Sequence, residues 1–292
     1  MNSYSDHHFS IGEQHLKQGK PCQDHALSGS FENISFAIVS DGCSGGKHTD
    51  VGARFTTFST ALAIRNQWST TGKICEENFP QEIDVKLNII QRGTYHMLGL
   101  TREDMLATCL YACLAPDGGF IHVLGDGVIA WKSESGAVYM RRFDWAKNTP
   151  LYPIYGENNY IDFIKCHGGD LSAPALTSSS WMHTPENGYI CTDHNTFTIA
   201  EGIKGFTELF SARRIKERGV RFLAVFSDGA TQVNGKDWKD TVVELLAFKG
   251  VAGDFVKRRT ISFLKGGAAS AYKPVDDLSC AVIHIGSSDE KE

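Results

Sequence analysis

Four acidic steps lie at the ends of short apolar runs, and they restrict the folds open to this chain more than any other feature. VSDG (39–42), LGDG (124–127) and FSDG (226–229) each close an apolar run with Asp-Gly, while VDDLS (275–279) places its acids immediately before one. Asp-Gly is a favoured hairpin turn because both residues tolerate positive φ. That reading suits Asp117-Gly118-Gly119, between YACLA and FIHVL. It suits 41 and 228 less well. Asp41-Gly42 leads into a glycine-rich loop and then a helical pattern, and Asp228-Gly229 leads into ATQVNGKDW, with no strand to follow. Acids at strand ends on one rim of a layered fold can converge. A close pair of carboxylates repels by about 4 kcal/mol at an effective dielectric near 20, and a divalent cation reverses that penalty. Oxygen ligands without His or Cys suit Mg2+ or Mn2+ rather than zinc.

The apolar pattern around these acids is mixed. ISFAIVS (34–40), RFLAVFS (221–227) and LSCAVIHI (278–285) read as buried strands. Phe55, Phe58 and Leu62 recur at helical spacing within 51–66, and Ile83, Leu87 and Ile90 mark a second helix around 80–98. Further helices are expected near 237–249 and 254–265. YACLA, FIHVL, VIAW and AVYMRRF (137–143) read as one antiparallel meander joined by tight turns. Residues 144–205, rich in Pro, Gly, Asn and Ser, read as loops and hairpins over the sheet. Strand and helix are segregated, which favours α+β layers over an alternating parallel fold. No repeat or low-complexity tract divides the 292 residues, which suffice for one large domain or two small ones with a sizeable core.

A net charge of −5 and a pI near 6.1 argue against a general nucleic-acid or anionic-membrane binder. The N-terminal MNSYSDHHFSIGEQH lacks the pattern of a signal peptide, and no apolar run is long enough to span a bilayer. The eight cysteines form no Cys-x-x-Cys pair, and Cys109, Cys113 and Cys280 sit inside apolar runs. Neither a disulfide framework nor a zinc site is expected, and the cytoplasm is the expected compartment.

Taken in order, these motifs resemble those of the metal-dependent protein phosphatases of the PPM (type 2C) family, in its bacterial branch. PCQDHA (21–26) resembles the opening acidic motif, FAIVSDGCSGG (36–46) the central Asp-Gly motif and HVLGDGVIAW (122–131) the Gly-Asp-Ser motif. FLAVFSDG (222–229) supplies the next acid, and VDDLSCAVI (275–283) resembles the final Asp-Asn pattern, with Asp277 in the Asn place. The resemblance implies a single domain over 1–292, with 144–205 as an insertion or flap. Its fold would be an α-β-β-α sandwich of two antiparallel sheets flanked by helices. It further implies two Mg2+ or Mn2+ ions held by Asp24, Asp41, Gly42, Asp228 and Asp276, with a third, weaker ion at Asp126. Asp41 would bridge the two ions, Asp228 and Asp276 would complete one of them, and Asp24 would act mainly through water. A water bridging the metals would attack phosphoserine or phosphothreonine on a protein, and a partner Ser/Thr kinase would place those phosphates. The chain is expected to act as a monomer.

Three positions depart from the family pattern. Gln23 replaces the acid that often precedes Asp24, and Gly127 replaces the usual Ser. The Arg that holds the substrate phosphate in many members has no clear equivalent, and His15 is the first candidate in GEQHLKQGKP (12–21), ahead of Lys17 and Lys20. Two other chemistries are open to the same stretch. CSGG (43–46) looks like a serine nucleophile at Ser44, but 43 preceding residues cannot build a two-barrel protease, and the sequence is not a Gly-x-Ser-x-Gly elbow. Cys43 has only Lys47 and His48 as a basic environment; beside a metal site its thiol would make the enzyme oxidation-sensitive. A catalytically weak, phosphatase-like binding or regulatory protein is the remaining alternative. Replaced metal acids would mark it, whereas here Asp24, Asp41, Asp126, Asp228 and Asp276 are all present.

Overall fold

A computed structural model describes residues 2–74, 78–158, 160–266 and 273–286; Cys75 lies outside them. The first half of the chain forms β1 (Ser3–Ser10), α1 (Glu13–Gln18), β2 (Asp24–Phe31), β3 (Ile34–Asp41), α2 (Thr49–Thr71) and α3 (Phe79–Thr94). The strands β4 (Cys109–Ala115), β5 (Gly118–Leu124), β6 (Gly127–Ser133) and β7 (Val138–Trp145) follow. Then come α4 (Ile161–Cys166), β8 (Pro174–Thr184), β9 (Gly188–Thr198), α5 (Ile199–Gly202), β10 (Phe206–Ser211) and α6 (Ala212–Glu217). The chain closes with β11 (Val220–Phe226), α7 (Trp238–Leu245), α8 (Phe255–Gly266) and β12 (Leu278–Ile285).

The strands form two antiparallel sheets, one ordered β1-β12-β11-β6-β7-β8-β9 and the other β10-β5-β4-β3-β2. Side chains alternate across a strand, and β6 uses both of its faces. Ile129 and Trp131 enter the core between the sheets, where they share a cluster with Val39, Tyr111, Leu223 and Ile283. Val128 and Ala130 face outward with Phe226 and Val282, against Val242, Leu245, Phe255 and Phe263 of α7 and α8. Helix α2 packs on β2 and β3 at the opposite surface, with α3 beside it. Helices thus cover both outer faces, and the expected α-β-β-α sandwich is borne out. Among the described residues no helix is long and apolar enough to cross a membrane.

The structure corrects the sequence reading in two places. YACLA through AVYMRRF is not one meander: β4 and β5 pair in the five-stranded sheet, while β6 and β7 pair in the seven-stranded one. The chain changes sheets at Gly125-Asp126-Gly127, and the flanking glycines take φ of 124° and 131° to do so. A Cβ on Gly127 would lie 2.5 Å from the Phe226 carbonyl oxygen, so the usual Ser has no room here. Second, residues 174–198 do not lie over the sheet. They form the β8–β9 hairpin, which extends its edge, while the short helical turn at 153–158 packs on α3. Gly127→Ser should therefore destabilise the fold by about 1–3 kcal/mol through overpacking and strained φ, read as a lowered Tm in thermal unfolding.

Candidate metal centre

Antiparallel pairing gathers the acids on one rim. β2 begins where β3 ends, so Asp24 and Asp41 are cross-strand partners. The Gly42 N–H donates to the Gln23 carbonyl at 3.1 Å, and the Thr108 N–H donates to the Asp41 carbonyl at 2.8 Å. The Asp41 N–H in turn donates to Thr108 Oγ1 at 3.0 Å. In the facing sheet the end of β11 lies beside the start of β12. There the Ser227 N–H donates to the Ser279 carbonyl at 3.1 Å, and the Ser279 N–H donates to Ser227 Oγ at 2.9 Å. Asp228 and Asp276 consequently share that end of the sheet, and Asp126 sits at the crossover between the sheets.

Their fields overlap. Burial pushes the Asp41 carboxyl well above the usual range, and the charges of Asp24, Asp228, Asp126 and Asp276 push it further. Asp24, only 1% exposed, is the floor of the cluster. Its carboxyl is also pushed up by burial and by the charge of Asp277, against the lowering influence of Ser227, Asp41 and Ser279. Asp126 is raised by burial, then by Asp228 and Asp144, with Arg142 opposing. Asp228 is pushed up to about 6 by burial and by Asp276, although Gln232 Nε2 donates to its Oδ2 at 2.7 Å. Both Asp24 oxygens and Asp228 Oδ1 are buried without a hydrogen bond of full geometry among the described residues. Orphaned hard oxygen donors in a cluster of mutual repulsion fit Mg2+ or Mn2+, which take carboxylate ligands.

The two consecutive acids at 276 and 277 have different roles. Asp276 is half-buried and acts on the rim. Asp277 is fully buried: Oδ1 accepts the Gly12 N–H at 2.7 Å, and Oδ2 accepts the Gln23 N–H at 2.5 Å and meets His15 Nδ1 at 2.8 Å. His15 is itself buried, with Nδ1 3.9 Å from Asp276 Oδ1. The ligating atoms of His15, Asp276 and Asp277 lie within 4.8 Å of one another, yet both Asp277 oxygens are already engaged in hydrogen bonds. Gln23 ties β2 to α2 through Nε2, which donates to Thr49 Oγ1 at 2.9 Å.

Ser44 is exposed in the turn after β3, with no histidine bonded to it among the described residues. Cys43 is half-buried, its N–H donating to the Leu106 carbonyl at 2.8 Å. Sequence reasoning missed three residues here. Arg142, which donates from Nε to Asp144 at 2.8 Å, is the cation whose field reaches Asp126 and Asp228. Gln232 orients Asp228, and the buried Tyr152 lies against Cys43, near Asp126 and Asp41. None stands in a motif, so no sequence signal marks them.

Residues 11–148, which contain Asp24, Asp41 and Asp126, match the family model described as protein phosphatase 2C. In structure the chain is similar to the serine/threonine phosphatase Stp1 from Staphylococcus aureus, at 13% identity and a TM-score of 0.55, over 98% of this chain and 96% of that one. It is similar to the serine/threonine phosphatase of S. agalactiae at 15% identity and a TM-score of 0.51, over 98% of this chain and 100% of that one. It is also similar to the Mycobacterium tuberculosis serine/threonine phosphatase PstP/Ppp at 12% identity and a TM-score of 0.53, over 98% and 100% of the two chains. No curated protein sequence matches the chain. The resemblance to the type 2C phosphatases is borne out, by the family model over 11–148 and by the shared fold over nearly the whole length.

A carboxyl raised in the folded state binds more protons there than in the unfolded chain, so its ionisation lowers stability as pH rises. Metal-free protein should lose Tm as pH climbs from near 4, the unfolded Asp value, through the Asp228 value of about 6. Asp228→Asn should remove part of this loss, so its Tm advantage over the unaltered chain in chelator grows from pH 5 to pH 7. Equal Tm differences at both pH values in differential scanning fluorimetry would contradict the clustered field.

Proposed function

We propose that this protein is a serine/threonine protein phosphatase that hydrolyses phosphomonoesters with two Mg2+ or Mn2+ ions held at the acid rim. The observation that carries this reading is the convergence of Asp24, Asp41, Asp126, Asp228 and Asp276 at one rim of a type 2C fold, with buried oxygens lacking partners. Bound there, the ions would supply a water nucleophile active at neutral pH and neutralise the phosphoryl oxygens.

The chain's own residues then have distinct tasks. Asp41, acted on by the other four acids, would serve as the ligand shared by the ions. Asp228 and Asp276 complete one ion, Gly42 offers its carbonyl, and Asp24 acts from the buried floor through water. Asp126 serves a third, weaker ion. Thr108 fixes the backbone of Asp41 and Gln232 fixes the carboxylate of Asp228, so the ligands are held before an ion arrives. His15 meets the substrate phosphate through Nε2, since Nδ1 is engaged by Asp277. The substrate is phosphoserine or phosphothreonine on a protein, set there by a partner kinase.

Removing one electrostatic stabiliser from an active site costs roughly 10²–10³ in kcat, so Asp41→Asn should lose at least about that much activity on p-nitrophenyl phosphate in Mn2+ buffer. Calorimetry should show weakened Mn2+ binding in the same variant. Near-normal turnover by Asp41→Asn, or inhibition by serine- or thiol-directed reagents and not by chelators, would sink the assignment. His15→Ala should raise KM for a phosphopeptide more than it lowers kcat; a residue that only braces Asp277 would lower kcat and Mn2+ affinity instead.

A further inference from the structure

The two sheets are of unequal width, seven strands against five. Where β6–β9 of the wider sheet face β10 and the α6 segment, they line a half-open cavity of about 240 Å³ that includes Trp131, Tyr139, Arg141, Glu208, Arg214 and Arg218. Small-molecule pockets span about 300–1,000 Å³, so this one suits a small ligand. It does not open onto the acid rim. Trp131 lies five residues along β6 from Asp126, about 16 Å at about 3.3 Å per residue.

The lining is basic in a chain that carries a net charge of −5. Three arginines face one carboxylate, that of Glu208. Arg214 is held by Glu208 and by the Leu209 carbonyl, which leaves its Nε buried with no partner among the described residues. Arg141 donates from Nε to Ser180 Oγ at 2.6 Å, and Asp193 approaches its Nη2 only at 3.9 Å. Arg218 is exposed and has no carboxylate partner among the described residues; its guanidinium lies 5.7 Å from the centre of the Trp131 ring. Trp131 in turn stacks on Tyr139 at 3.8 Å and 11°. Guanidinium forks match phosphate oxygens and stack on flat π-systems.

We propose that this cavity is a binding site for a planar ring bearing a phosphate monoester, a ligand of the nucleoside monophosphate class. Arg141 and Arg218, cations not neutralised by the lining carboxylate, receive the phosphate, and the Trp131–Tyr139 wall receives the ring. The site is independent of the acid rim, so it stands whether or not the rim holds metal.

The test is titration of the full-length chain with adenosine monophosphate, adenosine and inorganic phosphate, read by calorimetry and tryptophan fluorescence, first in chelator and then with Mn2+. In chelator the clustered carboxylates repel anions, which removes the rim as a phosphate site. The expected result is saturable one-to-one binding of the monophosphate with altered tryptophan emission, equal with and without Mn2+. Adenosine and phosphate alone should bind at least about tenfold more weakly, a difference of about 1.4 kcal/mol. Arg218→Glu, at an exposed position, and Arg141→Ala should each cost about tenfold or more while phosphatase activity stays unchanged, and Arg218→Glu should also leave Tm unchanged. Four outcomes would overturn the proposal: no saturation at millimolar ligand, binding seen only with Mn2+, equal affinity for bare phosphate, or full affinity in both variants.

Discussion

Repulsion among the rim carboxylates is the constraint around which this fold is arranged. Asp41 lies in the field of four other acids, and burial worsens the conflict. Such a cluster survives folding only if its backbone is fixed by bonds that do not depend on the acids. Here it is: Asp24 and Asp41 belong to a ladder, and the Asp41 amide and carbonyl are both taken by Thr108. Asp228 follows a strand whose end is bonded to Ser279. A cation that binds the folded rim, and not the unfolded chain, stabilises the fold by mass action. At the rim, therefore, like charges oppose folding of the metal-free chain, and cation binding offsets that cost.

Asp277 serves the opposite purpose with the same chemistry. Its carboxylate takes two backbone N–H donors, from Gly12 and Gln23, and the ring of His15. A carboxylate has two acceptor oxygens with about four lone-pair sites, whereas Asn offers one carbonyl oxygen and two competing donors. Three converging donors explain why an acid stands where the family pattern has Asn. The same carboxylate braces a junction that backbone bonds also hold: β1 pairs with β12, and the N–H groups of Glu13 and Gln14 donate to the carbonyls of Pro274 and Val275. Gln23 precedes Asp24, so this buried tie also sets the floor of the rim.

Much of the sandwich was legible because its central strands are apolar runs of the right length: β3, β11 and β12 are fully or nearly fully buried along their length. Asp41, Asp126, Asp228 and Asp276 were legible because each ends or precedes an apolar run, whereas Asp24, at the head of the mixed strand DHALSGSF, was marked by the resemblance alone. The edges were not legible. β1 reads SYSDHHFS, a polar strand whose place is fixed by β12, far away in sequence, and β9 reads GYICTDHNTFT, polar because it is a largely exposed edge bonded only to β8. The change of sheet at Asp126 was hidden for the same reason: tight turns and crossovers both use glycine, and only the long-range partners β11 and β10 distinguish them. Arg142 reaches the rim by strand register, which no local pattern encodes, whereas Gln232 reaches Asp228 through the short helical turn that follows it.

β7 carries the consequence of that register furthest. Strand alternation sends consecutive residues to opposite faces, so Arg141 lines the inner cavity while Arg142 bonds Asp144 and bears on Asp126 and Asp228. One strand thus serves both the acid rim and the basic cavity with adjacent cations of identical type. Adjacency alone does not couple them, since coupling requires an element with two arrangements that both ligands bias. β7 is an interior strand, bonded to β6 along one edge and to β8 along the other, and has no second register to adopt. The cavity and the rim therefore share a scaffold, in β7, whose pairing on both edges offers no evident switch between them.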